Sequence, residues 1–388
     1  MEKKQTIALV ANTSWSIYNF RLGLILHLQT LGFHILVVAP KDDFSVKLTD
    51  IGCEFAPITL KSYGRNPIHD ALLILQLRRI YRQYNPDIIF HYTIKPNTYG
   101  SIAAYLCGIP CIAVTTGLGI LSKSKNNFIE YISLSLYRLA GRLTSEMWFL
   151  NEPNRQVFLE KNIISPEKAH LLPSEGIDTE WFKPMQNAGK ILTKQINFIF
   201  AGRFIRDKGI FELAEAARLI IKRYPQAHFQ ILGFVNTENP LSVSEAQLKK
   251  WEKEKILTYL GATEDVRPYL EAADCMVYPS YYGEGLSRIL LEAAAMAKPI
   301  ITTDNTGCRE VVLANISGFL CKPQNVSDLV LQIERFIHLT KEKREKMGAK
   351  SREYVINNYE QSIVIELYIE ALKRYLPAFN RHKNADKI

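Results

Sequence analysis

Short apolar runs, each about the length of one strand, alternate with longer amphipathic stretches along this 388-residue chain. That alternation constrains the fold more than any other feature. Runs at 6–11, 34–39, 88–91, 111–115 and 146–149 read as buried strands. Helical spacing fills the intervals at 19–31, 68–84, 97–106 and 128–143. Strands that alternate with helices predict a parallel sheet covered on both faces, an α/β fold. A polar stretch with Pro184 and Gly189 then interrupts the series and reads as a linker. Beyond it the pattern restarts, with strands expected at 196–201, 227–232, 257–260, 275–278 and 299–303. The matching helices are expected at 209–224, 242–254, 287–297 and 326–339. The expectation is two Rossmann-like domains, 1–184 and 190–359, facing across a cleft. Ligands of such sheets sit beyond the carboxyl ends of the strands, so the cleft is the expected site.

Composition narrows the partners. Hydrophobic content of 47% with 22% charged residues suits a soluble globular protein. The net charge of +9 points to polyanions: nucleic acid, anionic lipid or phosphorylated substrates. The basic residues form no long run and no nucleic-acid module is recognisable, so nucleic acid is not an expected partner. The six cysteines are scattered without a Cys-x-x-Cys and read as reduced thiols. No secretory signal is visible, and no apolar stretch reaches the roughly 18 residues of a spanning helix. The expected location is the cytoplasm, with the protein soluble or peripheral on the inner face of the membrane.

Two motifs in the second half carry the chemistry. In the first, Gly283-Glu284-Gly285-Leu286-Ser287 joins a strand to a helix, and Glu292 lies two turns into that helix. Glycines beside Glu284 allow a tight turn, and amides at a helix start attract anions. The helix around Glu292 is nearly continuous in apolar residues, so its carboxylate needs a hydrogen-bonding partner such as a ligand hydroxyl. The second motif, Gly202-Arg203-Phe204-Ile205-Arg206-Asp207-Lys208-Gly209, crowds three cations into a loop at a strand end, where they can hold a diphosphate. An anion cradle flanked by carboxylates that bind hydroxyls suits a nucleotide-sugar.

The pattern Gly-Arg-x4-Lys-Gly followed by Glu-x7-Glu, on two Rossmann-like halves, resembles the retaining glycosyltransferases of the GT-B fold, family 4. The resemblance implies a catalytic set of Glu284, Arg203 and Lys208. It implies donor binding by Arg203, Lys208, Asp265, Gly285, Leu286, Ser287 and Glu292, with Glu284 on the donor sugar and Glu292 on the ribose. It also implies that a last helix from about 360 packs back on the first half. Ser16 to Arg21, His91 to Gly100 and Thr116 to Gly119 resemble bacterial transferases that extend a sugar on a polyprenyl diphosphate. Asn19, Arg21, Lys95 and Asn97 are then the acceptor-binding candidates, and His91 is either a site residue or a core histidine. Many members carry a His where Val114-Thr115-Thr116-Gly117 stands here. No Asp-x-Asp occurs, so no metal or other cofactor is expected beyond the nucleotide-sugar co-substrate. Helices at 68–84 and 121–142 mix arginines and lysines with apolar residues and could rest on anionic lipid. Competing readings are a nucleotide-sugar epimerase or hydrolase of similar build and a basic nucleic-acid-binding protein. A dinucleotide oxidoreductase is disfavoured because the first turn lacks Gly-x-Gly-x-x-Gly.

Overall fold

The computed structural model of the protein describes residues 4–60, 67–117, 127–185, 195–235, 241–283 and 285–376. It divides into two compact units, Met1–Gly176 with Gln361–Ile388, and Ile177–Glu360.

In the first unit the chain runs β1 (Thr6–Val10), α1 (Ser14–Thr30), β2 (His34–Ala39), α2 (Phe44–Asp50), β3 (Glu54–Pro57), α3 (Pro67–Tyr84) and β4 (Ile88–Tyr92). A π-helical turn, Pro96–Gly100, leads into α4 (Ser101–Tyr105). Then come β5 (Cys111–Thr115), α5 (Asn127–Leu143), β6 (Glu146–Phe149), α6 (Glu152–Glu160) and β7 (Ala169–Leu171). The second unit holds β8 (Ile196–Ala201), α7 (Ile210–Arg223), β9 (Ala227–Leu232), α8 (Glu245–Lys253), β10 (Thr258–Tyr259), α9 (Arg267–Ala272) and β11 (Cys275–Tyr278). It continues through α10 (Arg288–Ala295), β12 (Ile300–Thr303), β13 (Gly318–Cys321), α11 (Val326–Ile337) and α12 (Lys341–Tyr359). The chain returns to the first unit in α13 (Gln361–Tyr375).

Both sheets are parallel. The first has the order β3-β2-β1-β4-β5-β6-β7, the second β10-β9-β8-β11-β12-β13. Each is a doubly wound Rossmann-like sheet whose strand order reverses once, at β1/β4 and at β8/β11. Crossovers leave the sheet in opposite directions at a reversal, which opens a crevice beyond the strand ends. The central strands are buried along their whole length because helices cover both faces. Cores form around Phe198, Phe200, Phe229 and Phe336 in the second unit and around Leu36, Tyr81 and Ile89 in the first.

The strands expected from apolar runs are present, with ends shifted by a residue or two. Edge strands β3, β7 and β13 and helices α2, α6, α9 and α12 were not expected. The chain enters the second unit at Ile177, upstream of the expected linker. Arg352 holds the segment in between, donating to the carbonyls of Thr179 and Phe182 at 3.0 and 2.9 Å. Residues 186–194 of that linker lie outside the described residues.

Buried Glu146 fastens α13. It accepts from the Trp148 indole at 2.7 Å, from Arg374 Nε and Nη2 at 3.0 Å each, and from the Tyr375 hydroxyl at 3.0 Å. A carboxylate removed from water is stable only when its lone pairs are filled in this way.

His91 is a core histidine. It has no solvent exposure, its Nε2 lies 2.8 Å from the Tyr81 hydroxyl, and loss of water pushes its pKa down to about 3. The imidazole is neutral in the folded chain, whereas an unfolded chain takes up the proton below about pH 6.5. His91 therefore contributes stability above pH 6.5 that is lost as pH falls toward 3. Thermal unfolding from pH 7 to 4 checks this. His91→Gln should melt lower than the parent at pH 7, and the gap should narrow as the pH falls. A constant gap would contradict the buried neutral state.

Candidate functional site

The strongest candidate lies at the reversal point of the second sheet. Beyond β8 the chain passes Arg203, makes one tight turn at Arg206–Lys208 and enters α7 through Gly209. Gly209 has φ +77°, and a Cβ there would stand 2.1 Å from the Pro279 carbonyl oxygen. Only glycine permits this approach between the loop after β8 and the loop after β11. The Tyr281 N–H reinforces it, donating to the Asp207 carbonyl at 2.9 Å.

The approach sets the cations. Lys208 is only 5% exposed, and its Nζ lies 5.5 Å from the Tyr278 ring centre and 4.8 Å from that of Tyr282. Aromatic faces hold an ammonium without neutralising it. Arg203 is half-buried, and its guanidinium makes no hydrogen bond or ion pair among the described residues. Arg206 is exposed and stacks on Phe211 of α7 at 4.6 Å.

Across the reversal, the start of α10 is braced from the turn after β12. The Ser287 N–H donates to the Gly307 carbonyl at 2.8 Å, and the Gly307 N–H donates to Glu310 Oε2 at 2.7 Å. Of the three residues whose amides were expected to meet a diphosphate, Ser287 thus has its amide engaged within the protein. Gly285 and Ser287 are buried and Leu286 is half-buried. Glu284 lies outside the described residues. Glu292 is 14% exposed and accepts from Arg288 Nε one turn back at 3.0 Å. Loss of water raises its pKa, and Arg288 pulls the other way. Asp265 is engaged by one neighbour: the Arg267 fork reaches its two oxygens at 2.9 and 2.7 Å and holds the carboxyl below its usual range. Arg267 also stacks 3.4 Å over the Trp181 ring. Sequence reasoning placed Arg267 only within the stretch 261–267 that resembles the family's base pocket, and it assigned no roles to Tyr278, Tyr282, Arg288 or Trp181. Arg288 was legible, since it is the one other charge on a helix that otherwise reads apolar around Glu292.

The first-unit candidates sit in different environments. Arg21 is 4% exposed, ion-paired with Glu175, 3.6 Å over the Tyr92 ring, and bonded to the Ser16 carbonyl at 3.0 Å. Asn19 is exposed and its Nδ2 donates to the Trp15 carbonyl. Lys95 pairs with Asp70 at 2.9 Å, and the other oxygen of Asp70 accepts from the Tyr99 hydroxyl. Asn97 is buried in the π-helical turn, with Nδ2 donating to the Val114 carbonyl at 2.9 Å. Lys95 and Asn97 therefore share one strand end, while Arg21 braces α1 against Glu175.

Residues 6–146 match a family model described as glycosyl transferase 4-like, and residues 183–354 match one described as glycosyl transferases group 1. An N,N'-diacetylbacillosaminyl-diphospho-undecaprenol alpha-1,3-N-acetylgalactosaminyltransferase of Campylobacter jejuni is 27% identical over 383 residues, covering 95% of this chain and 99% of its own. A UDP-Gal:alpha-D-GlcNAc-diphosphoundecaprenol alpha-1,3-galactosyltransferase of Escherichia coli is 27% identical, covering 75% and 76%. The crystal structure of Anabaena HepE in complex with UDP superposes with a TM-score of 0.79 at 17% identity, covering 95% of this chain and all of that one. The chain belongs to the GT-B glycosyltransferases, its N-terminal half glycosyl transferase 4-like and its C-terminal half of the glycosyl transferases group 1.

Proposed function

We propose that the protein transfers a hexose or N-acetylhexosamine from a UDP-sugar to a polyprenyl-diphosphate-linked saccharide, with retention of anomeric configuration and without a metal ion. The observation that carries this is Arg203, a half-buried guanidinium with no anionic partner among the described residues, in the same loop as the buried Lys208. Negative charge accumulates on the leaving diphosphate as the sugar C1–O bond breaks. Arg203 and Lys208 stabilise that charge from fixed positions, so little reorganisation is needed during the reaction. Amides at the start of α10 add a weaker attraction. Glu292 takes the ribose, Glu284 the donor sugar, and Asp265 with Arg267 borders the base. Lys95 and Asn97 lie on the acceptor side, where Arg21 acts as a positioning residue. The relatives' activities on diphosphoundecaprenol-linked sugars support the choice of acceptor.

A membrane-bound acceptor calls for a membrane-facing surface. On α3, Ile68, Leu72 and Leu75 are 68%, 56% and 58% exposed and follow a helical stripe that Arg79 and Arg82 continue. Apolar residues beside arginines suit the interface of an anionic bilayer. Among the described residues no helix is long and apolar enough to cross a membrane. We assign this stripe to peripheral attachment on the inner face.

Two measurements test the proposal. With UDP-sugar and a polyprenyl-diphosphate saccharide, Lys208→Ala should lower kcat about a hundredfold or more at an unchanged melting temperature. EDTA should leave the parent rate unchanged, and NMR of the product should show the donor's anomeric configuration. A near-normal kcat in folded Lys208→Ala removes Lys208 from the mechanism. In the second, the protein should float with phosphatidylglycerol vesicles at low salt, and Leu72→Glu with Leu75→Glu should abolish flotation. Parent-like flotation of that double variant removes α3 from the attachment.

A further inference from the structure

The turn after β12, residues 304–310, does more than lead the chain on to β13. Inside it, the Asn305 carbonyl accepts from the N–H groups of Cys308 and Arg309 at 3.0 Å each. Arg309 bonds Asp304 at 2.7 Å and Thr306 at 3.1 Å. Glu310 Oε2 takes the N–H of Gly307, whose φ of +86° is the left-handed conformation that suits glycine. From behind, the Tyr354 and Tyr359 hydroxyls of α12 donate to the Glu310 carbonyl at 3.2 and 2.8 Å. The turn is thus anchored to the body of the second unit.

Bonds also reach outward, to the segment between β11 and α10. Asn305 Nδ2 donates to the Tyr282 carbonyl at 2.9 Å, and the Gly307 carbonyl accepts from the Ser287 N–H at 2.8 Å. Between those two tethers the sequence is Gly283-Glu284-Gly285-Leu286. Glycines give such a stretch wide backbone freedom, so its ends decide where it lies. The first end matters in its own right, because the Tyr282 ring centre is 4.8 Å from Lys208 Nζ. A turn that only passed the chain from one strand to the next would keep its bonds internal.

Each tether depends on one side chain. Asn305 makes the first directly. Glu310 acts at one remove: its charged oxygen bonds an amide more strongly than a neutral acceptor does, and it fixes the Gly307 whose carbonyl meets Ser287. We infer that Asn305 and Glu310 are positioning residues of the donor site. One turn sets both ends of the segment in which Glu284 stands and, through Tyr282, the place of Lys208. This rests on the nucleotide-sugar site of the proposed function. Neither side chain has to touch the ligand, since a misplacement of about 1 Å in the groups they hold can cost about a hundredfold in rate.

Full-length parent and variants are titrated with UDP by calorimetry, with ligand-detected NMR for weak binders, and melted in parallel. Asn305→Ala and Glu310→Ala should each weaken UDP about fivefold or more. Glu310→Gln keeps an acceptor for the Gly307 N–H and should stay within about twofold of the parent. A double-mutant cycle separates positioning from a general loosening of the fold, whose losses add. In a Lys208→Ala background, Asn305→Ala should cost less than about twofold more, because the group it places is gone. Should Asn305→Ala fail to fold, Asn305→Asp takes its place in the cycle, since it keeps the size and cannot donate to the Tyr282 carbonyl. Full additivity in the cycle overturns the role of Asn305, and equal losses in Glu310→Gln and Glu310→Ala overturn that of Glu310. Parent-like affinity in both alanine variants of a UDP-binding parent sinks this inference alone. A parent that binds no UDP sinks the donor-site reading and this one with it.

Discussion

The close approach of Gly209 to the Pro279 carbonyl governs the rest of the second unit's active end. It joins the loops leaving β8 and β11 where the strand order reverses and crossover helices diverge. A side chain at 209 would force those loops apart. With them together, Lys208 is held beside the Tyr278 and Tyr282 rings, and Arg203 stays within the same loop. Gly233, just past β9, has a similar role, since a Cβ there would stand 1.9 Å from the Gly202 carbonyl oxygen. Backbones packed this tightly leave few ways for the basic loop to relax, which is what a preorganised anion site requires.

Much of the architecture was legible because parallel strands buried on both faces have an unmistakable sequence form. Residues 35–39 and 198–201 are continuous apolar runs of strand length, the form a strand takes when both faces are covered. Edge strands lose that signature. Glu54–Pro57 has two exposed residues and ends in proline, and Ala169–Leu171 is three residues long. α12 was hidden for another reason: its buried face is Met347, Gly348, Ser351, Val355 and Tyr359, in which a glycine and a serine interrupt the apolar stripe. Its glycine is needed because a Cβ at Gly348 would stand 2.1 Å from the Ala297 carbonyl oxygen. The linker was expected at 182–190, where the polar, Pro- and Gly-bearing signal lies, although Thr179 and Phe182 already belong to the second unit. No local pattern reveals that Arg352, far along the chain, will hold their carbonyls.

The candidate site shows the same division. Motif spacing located Arg203, Lys208 and Glu292 at strand ends and on α10, because loop chemistry and helix geometry are local. Environment is not local. Arg21 reads as a helix-surface arginine until Glu175, 154 residues later, is brought beside it. The tyrosines around Lys208 come from the next strand of the sheet but lie some 70 residues further on in sequence.

The charges distinguish what builds the fold from what is left for a ligand. A buried charge costs several kcal/mol unless a partner offsets it. Arg21 has Glu175, and buried Glu146 has Arg374. Removing either member of such a pair strands the other, so these residues are poorly placed to exchange partners in each catalytic cycle. Arg203 is different: it is partly desolvated and faces no carboxylate among the described residues. The protein has already met much of the cost of withdrawing it from water, and a diphosphate would supply the missing counter-charge. Attraction to an anion is then stronger than for a fully hydrated arginine, because the effective dielectric is lower and the side chain has less freedom to lose. The same reasoning explains why a chain of net charge +9 can be selective. The paired cations named above are closed to a ligand, whereas Arg203 lies open in a glycine-bounded loop at the end of one strand.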